Sequence, residues 1–275
     1  MGSGRTGRHR VGRRQPAARS CVHHRHGPSV WGIGVRVDFP VPSSALAIVA
    51  HPDDAEFQCG ATLAKWSASG TVVSHLICTD GSKGTWDVNS DQARLVATRQ
   101  TEQRAAAAEL GATGSVIFLG WPDGELDSGL RQRSQVAYWI RKLRPAVVLG
   151  HDPWKRWRLH PDHRNAGWLA CDGVVAARDP FFFPEHDIAH HRPNALLLFE
   201  SDEPDLAIDV AGFAEHKTAA LLAHESQFET THDIVDASND NQRERFSGWV
   251  DFTLAEGGET AGFEHAELFK VIDDL

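Results

Sequence analysis

Residues 51–54 read His-Pro-Asp-Asp, and residues 160–163 read His-Pro-Asp-His. Imidazole and carboxylate are the groups that hydrolytic sites use to hold zinc, which takes three such ligands and leaves a fourth position open. His51 and Asp54, three apart in one loop, can close on a single ion. The third ligand would come from His160 or His163. A divalent cation also answers the electrostatic objection to adjacent aspartates, because it makes a carboxylate cluster favourable. Asp53 is then spare and can serve as a base towards attacking water. His160, steadied by Asp162, suits proton delivery to a leaving group or an oxyanion contact. Either motif alone is an ordinary polar turn that caps a helix; the pair, after two strands of one sheet, indicates a metal site.

The elements that must bring these motifs together alternate along the chain. Apolar or β-branched runs at 45–50, 71–78, 115–120, 146–151, 195–201 and 206–210 predict strands. Helix-forming stretches at 60–70, 91–111, 130–145, 163–178, 212–228 and 240–256 separate or follow them. Such alternation predicts an α/β domain with a mostly parallel sheet, whose ligands lie beyond the carboxyl ends of the strands. His51, Thr79-Asp80, Trp121-Pro-Asp123 and His151-Asp152 all fall at those ends. No GxGxxG follows the first strand, which argues against a dinucleotide site.

Bulk properties narrow the class further. The net charge is −9, yet the first 35 residues hold seven arginines and no acid, so the remainder carries a net −16. An acidic body excludes a nucleic-acid-binding face. Residues 1–38 read as a disordered basic leader and residues 39–275 as one domain. No apolar run is long enough to span a bilayer. The four cysteines form no CxxC pair, the pattern of a reduced, cytoplasmic protein.

Four stretches carry a resemblance: "AIVAHPDDAEFQCGATLAKW", "RQTEQRAAAAELG", "HPDHRNAG" and "AEHKTAALLAHESQF". In this order, over residues 45 to about 230, the sequence resembles the N-acetylglucosaminyl-phosphatidylinositol de-N-acetylase (PIG-L) or LmbE-like family. The resemblance implies a Rossmann-like three-layer sandwich and zinc-dependent removal of an acyl group, usually acetyl from an N-acetylglucosamine unit. It implies His51, Asp54 and His163 as ligands of one zinc ion, Asp53 as general base and His160 acting on the tetrahedral intermediate. Arg99 resembles a substrate-pocket arginine; His224 resembles a pocket histidine and reads equally well as a capped core histidine. Many members read His-Pro-Asp-Asp-Glu, whereas here Ala55 precedes Glu56, which puts that glutamate's ordering of the loop in question.

Other candidates have ordinary readings beside the functional one. Asp152, with His151, is either a hydrogen-bonded pair or a substrate contact. Trp154 and Trp157 either stack on a sugar or pack, and Lys83 either meets an anionic group or is solvated. His186, His190 and His191 read as surface histidines. Iron(II) suits a two-histidine, one-carboxylate set as well as zinc does. The partner is a small acylated amino sugar or related amide, with homo-oligomerisation left open. Rival readings are a zinc amidase of thiol conjugates or other acylated amines, and a non-catalytic zinc- or sugar-binding protein.

Overall fold

The continuous apolar runs become strands buried on both faces, and the amphipathic stretches between them become the covering helices. The computed structural model describes residues 34–275, and of the stretch before them only Met1. Five strands are mutually parallel: β1 Ser44–Val49, β2 Val72–Thr79, β3 Val116–Trp121, β4 Val147–His151 and β5 Ala195–Phe199. Strands β6 (Leu206–Asp209) and β7 (Ala266–Ile272) complete a seven-stranded sheet in the order β3-β2-β1-β4-β5-β7-β6. Strand β7 runs antiparallel to both its neighbours.

Helices α1 (Asp54–Ala68), α2 (Gln92–Glu109), α5 (Ala214–Leu222) and α6 (Asp240–Glu259) cover one face. Helices α3 (Leu130–Leu143) and α4 (Pro161–Arg178) cover the other. Alternate residues of β1 feed the two cores: Ala45, Ala47 and Val49 one way, Leu46 and Ile48 the other. The fold is therefore the expected three-layer α/β sandwich. The chain winds outward from β1 to β3, then returns to place β4 on β1's free side. That reversal opens a crevice beyond β1 and β4, where open α/β sheets bind ligands.

Some elements differ from the sequence pattern. Helix α1 begins at Asp54 instead of residue 60, because Cys59 (φ −146°, ψ 19°) breaks its regular geometry and only the second half reads as a helix. The amides freed there are satisfied from afar: Ala61 and Thr62 donate to the Glu267 carboxylate at 3.2 and 2.8 Å. Glu267 also pairs with Lys217 at 2.7 Å, both side chains being buried. The expected helix over 212–228 stops at Leu222, and a short 3₁₀ turn at Glu225–Gln227 follows. The turn lets Ser226 donate to Glu102 from both its amide and its hydroxyl, at 2.8 and 2.6 Å. Strand β7 has no counterpart in the sequence reading, since Glu267 and Lys270 interrupt its apolar residues.

The basic leader lies outside the described residues except for Met1 and 34–38, and there Arg36 joins the sheet. Its amide donates to Asp205 O at 2.8 Å, and its carbonyl accepts from Ala207 at 2.9 Å. Among the described residues, no helix is long and apolar enough to cross a membrane, and Cys59, Cys78 and Cys171 are free thiols.

Close approach of α4 to β4 brings the two histidine motifs together. A Cβ on Gly150 of β4 would stand 2.7 Å from Ala170 Cβ of α4. One on Gly167 would stand 2.7 Å from His151 O and 2.9 Å from Pro153 N, both backbone atoms that cannot yield cheaply. Gly167→Ala is expected to lower the unfolding free energy by about 1–3 kcal/mol. Gly248→Ala, in an exposed stretch of α6 with open space around it, is expected to raise it by about 0.5–1 kcal/mol. Urea unfolding of the two variants measures both.

Candidate metal-dependent active site

Strand β1 delivers His51 to the crevice, and the chain turns at once. Asp53 adopts a left-handed backbone (φ 93°) as the residue before α1, and Asp54 opens that helix. The His51 amide donates to Asp54 Oδ2 at 2.8 Å, which fixes the Asp54 carboxylate beneath the imidazole. From the far side, His160 caps α4 by accepting the Asp162 amide on Nδ1 at 3.3 Å, and Pro161 starts the helix. One turn of α4 then sets His163 opposite His51.

The three donor groups form a close triangle, the carboxylate facing each imidazole with a different oxygen. His51 Nδ1 and His163 Nε2 are 3.2 Å apart. The Asp54 carboxylate lies 3.5 Å from the first through Oδ2 and 3.3 Å from the second through Oδ1. Donors held at 2.0–2.2 Å around a tetrahedral zinc ion stand roughly 3.3–3.6 Å apart, so these residues fit such an ion. Two sets of potential ligands, His51–His160–His163 and Asp54–His151–His163, overlap these residues, and a third joins His51 to Asp123 and Asp162.

Around the triangle a ring of acids and histidines is buried. His51 Nε2 lies 3.2 Å from both Asp123 Oδ1 and Asp162 Oδ2, the carboxylate contacts that orient a ligating imidazole. Asp162 thus has a different partner from the one expected: its carboxylate holds His51, not His160. It also accepts from the Gly124 amide at 2.6 Å and the Leu126 amide at 3.2 Å. His151 bridges Asp54 Oδ2 at 3.3 Å and Glu200 Oε2 at 3.2 Å, and its ring stacks on His163 at 4.4 Å. Arg158 closes the ring, meeting Glu200 and, at 3.1 Å, His163 Nδ1.

Electrostatics follow from this packing. Burial alone would depress the His51 pKa, but hydrogen bonds to Asp123, Asp162 and Asp54 raise it well above 6.5. Burial would raise Asp54, yet His163 and His151 hold it well below the usual carboxylate range. Burial pushes His163 down to about 3, so it is neutral, as a ligand must be. Asp53, off the triangle, is raised to about 6 by burial against the opposing charges of Arg99 and His224. Two carboxylates in adjacent positions are therefore shifted in opposite directions, the pattern of paired groups with different tasks.

The expected substrate contacts are dispersed. Arg99 is buried and braces the loop: it donates to Pro52 O at 2.7 Å and Gly81 O at 3.0 Å, and meets Asp53 Oδ2 at 3.4 Å. His224 is fully buried behind the site, 3.6 Å from Glu56. Lys83 is half exposed and bonds Asp123 O and, at 3.3 Å, Glu125. Asp152 accepts the Trp154 amide at 2.8 Å, and exposed Trp154 packs edge-on against Trp168. These two line a depression with Leu198 and Ile272 that includes none of the histidines. His186 and His191 bond Ser134 and Pro145 O, each at 2.8 Å, and among the described residues they join no metal-binding group. Sequence reasoning named no role for Asp123, Gln103, Glu200 or Arg158; only Asp123 left a signal, a Pro-Asp pair at a strand end.

Fold and site together define a class, the metal-dependent hydrolases built on a doubly covered parallel sheet. The chain belongs to the PIG-L family, the GlcNAc-PI de-N-acetylases, which residues 46–172 match. It is 36% identical over 186 residues to the diacetylchitobiose deacetylase of Thermococcus kodakarensis, covering 66% of this chain and 69% of that one. A 1D-myo-inositol 2-acetamido-2-deoxy-alpha-D-glucopyranoside deacetylase of Streptomyces scabiei is 29% identical, with 84% and 90% covered. The solved N,N'-diacetylchitobiose deacetylase of Pyrococcus horikoshii matches with a TM-score of 0.74 and 28% identity over 84% of each chain.

The buried Glu56–His224 pair gives a pH signature. Burial opposes both charges, yet their contact wins: His224 is raised above 6.5 and Glu56 lowered below 4.5. A raised histidine contributes stability that is complete below about pH 6.5 and is lost as pH rises through its folded-state value. His224→Gln leaves Glu56 uncompensated and is expected to cost about 3 kcal/mol near pH 6. The difference from the parent chain should shrink towards about pH 9, as read from unfolding midpoints across that range.

Proposed function

We propose that the chain hydrolyses the N-acetyl or related acyl amide of an N-acetylglucosamine-type small substrate, with one divalent ion held by His51, Asp54 and His163. The observation that carries this reading is the donor triangle with a carboxylate beside it that is not part of it. A binding protein needs the triangle alone, whereas hydrolysis of an amide needs a base as well. When bound, zinc, or iron(II) in its place, would polarise the acyl carbonyl and acidify water.

The chain's own groups do the rest. Asp53, with its pKa raised to about 6, takes a proton from the attacking water near neutral pH. Asp162 and Asp123 hold the His51 imidazole by its outer nitrogen, so its inner nitrogen faces Asp54 and His163. His160 is exposed at the rim, its ring 4.7 Å from that of His51, and it donates to the oxyanion or to the departing amine. The names of the similar deacetylases support acetylated amino sugars as the substrate class. Three free cysteines among the described residues support action in the reducing cytoplasm.

Asp53→Asn is expected to keep one zinc per chain and to lose turnover by about 10²–10⁴-fold. His163→Ala is expected to lose metal and activity together. Amine release from a panel of acetylated amino sugars, alongside metal analysis, checks both; an Asp53→Asn variant as active as its parent would remove the base assignment.

A further inference from the structure

Behind Asp53 lies a chain of buried polar groups that the proposed reaction leaves without a task. The left-handed backbone of Asp53 is uncommon outside glycine, although aspartate adopts it more readily than most residues, and its own side chain makes no capping bond to α1. Its amide instead donates to Gln103 Oε1 of α2 at 3.0 Å. Gln103 Nε2 in turn donates to Glu56 Oε1 at 2.7 Å. Gln103 and Glu56 are both fully buried. The amide group fits only this way round, because a backbone N–H only donates and a carboxylate only accepts. Glu56 thus fixes which end of Gln103 faces Asp53, and the loop glutamate that follows Ala55 acquires a task.

We propose that Gln103, oriented by Glu56, is a positioning residue that holds Asp53 in its left-handed conformation and so aims its carboxylate into the site. The proposal rests on the reading of Asp53 as the base. The geometry separates two braces on one loop: Arg99 secures the Pro52 carbonyl and touches the carboxylate, while Gln103 secures the next amide. Without Gln103, that amide faces a buried space and the backbone relaxes to a commoner conformation, which swings the Asp53 side chain away. The ligands are spared, because Asp54 and His51 are fixed by their own bond.

The test uses the full, zinc-loaded chain with N,N'-diacetylchitobiose as the probe amide. Gln103→Leu keeps the volume and removes both bonds. It is expected to lower kcat by about 30- to 100-fold with KM within about threefold. Zinc should stay at one per chain, and deuterium exchange in the peptide covering residues 50–57 should quicken. Glu56→Gln, which frees the Gln103 amide to flip, is expected to move kcat and exchange in the same direction by less. It decides the matter on the same readouts if Gln103→Leu does not fold. The proposal is overturned if folded Gln103→Leu keeps kcat within about threefold, if it loses zinc along with kcat, or if exchange at 50–57 is unchanged. Should the probe not be turned over at all, the exchange measurement alone decides. Asp53→Asn run in parallel separates the two levels: if it is inactive while Gln103→Leu is unimpaired, only the positioning role falls. If it is fully active, the reading of the base falls as well.

Discussion

Everything at the crevice follows from the difficulty of burying negative charge. Asp54, Asp123 and Asp162 all contact the single imidazole of His51, Asp53 adjoins Asp54 in the chain, and each of the four is at most 5% exposed. Desolvation of one ionised carboxylate already costs several kcal/mol, so four together need cations, amides or shared protons. The structure supplies all three. Backbone amides of residues 124 and 126 serve Asp162, Arg99 serves Asp53, and histidines surround Asp54. One place in this arrangement, between His51, Asp54 and His163, is shaped for a divalent charge, and the acids farther out hold the imidazole that would receive it.

Much of this was legible because strand ends and motifs are local. "ALAIVA" followed by His-Pro-Asp-Asp, and a helix begun by His-Pro-Asp-His, are enough to place two ligand groups at the carboxyl edge of one sheet. The sheet's parallel half could be read from its unbroken apolar runs. What escaped depends on distant pairing. Asp162 stands two residues from His160, and nearness in sequence suggested that it served that ring; only the fold brings His51 within 3.2 Å of it. His224 read equally as a pocket or a core histidine, and distant pairing decides for the core: its segment docks on α2 through Ser226 and Glu102 and turns the imidazole inward to Glu56. Strand β7 was hidden by Glu267, whose charge makes sense only beside Lys217 and the open amides of α1.

The rim of the crevice is built differently from the cluster around His51. Its loops are polar and turn-rich, and they expose large apolar groups: Trp86 and Val88 after β2, Leu130 beyond β3, and Trp157 and Leu159 after β4. The loop after β4 is nevertheless well anchored, with Lys155 bound to Glu200 O at 2.6 Å and the Arg156 amide to Asp202 at 2.7 Å. Trp157, between these anchors and Arg158, is held at a positive φ of 63° with its indole in solvent. The candidate ion-binding groups are thus fixed by charge, and the rim by contacts to backbone atoms that leave its large side chains in solvent.

The place of β7 in the sheet has a consequence for how this chain comes into being. Residues 266–272 insert between β5 and β6, both made earlier, and the same segment carries Glu267 to the break in α1, the helix that begins with Asp54. During synthesis β5 and β6 therefore lack the strand that joins them until residues 266–272 have left the ribosome tunnel. Until then, β5 and β6 have open edges, and the amides of Ala61 and Thr62 have no acceptor. Such a nascent chain offers pairing edges to other chains, so the interval before β7 pairs is when it most needs a chaperone.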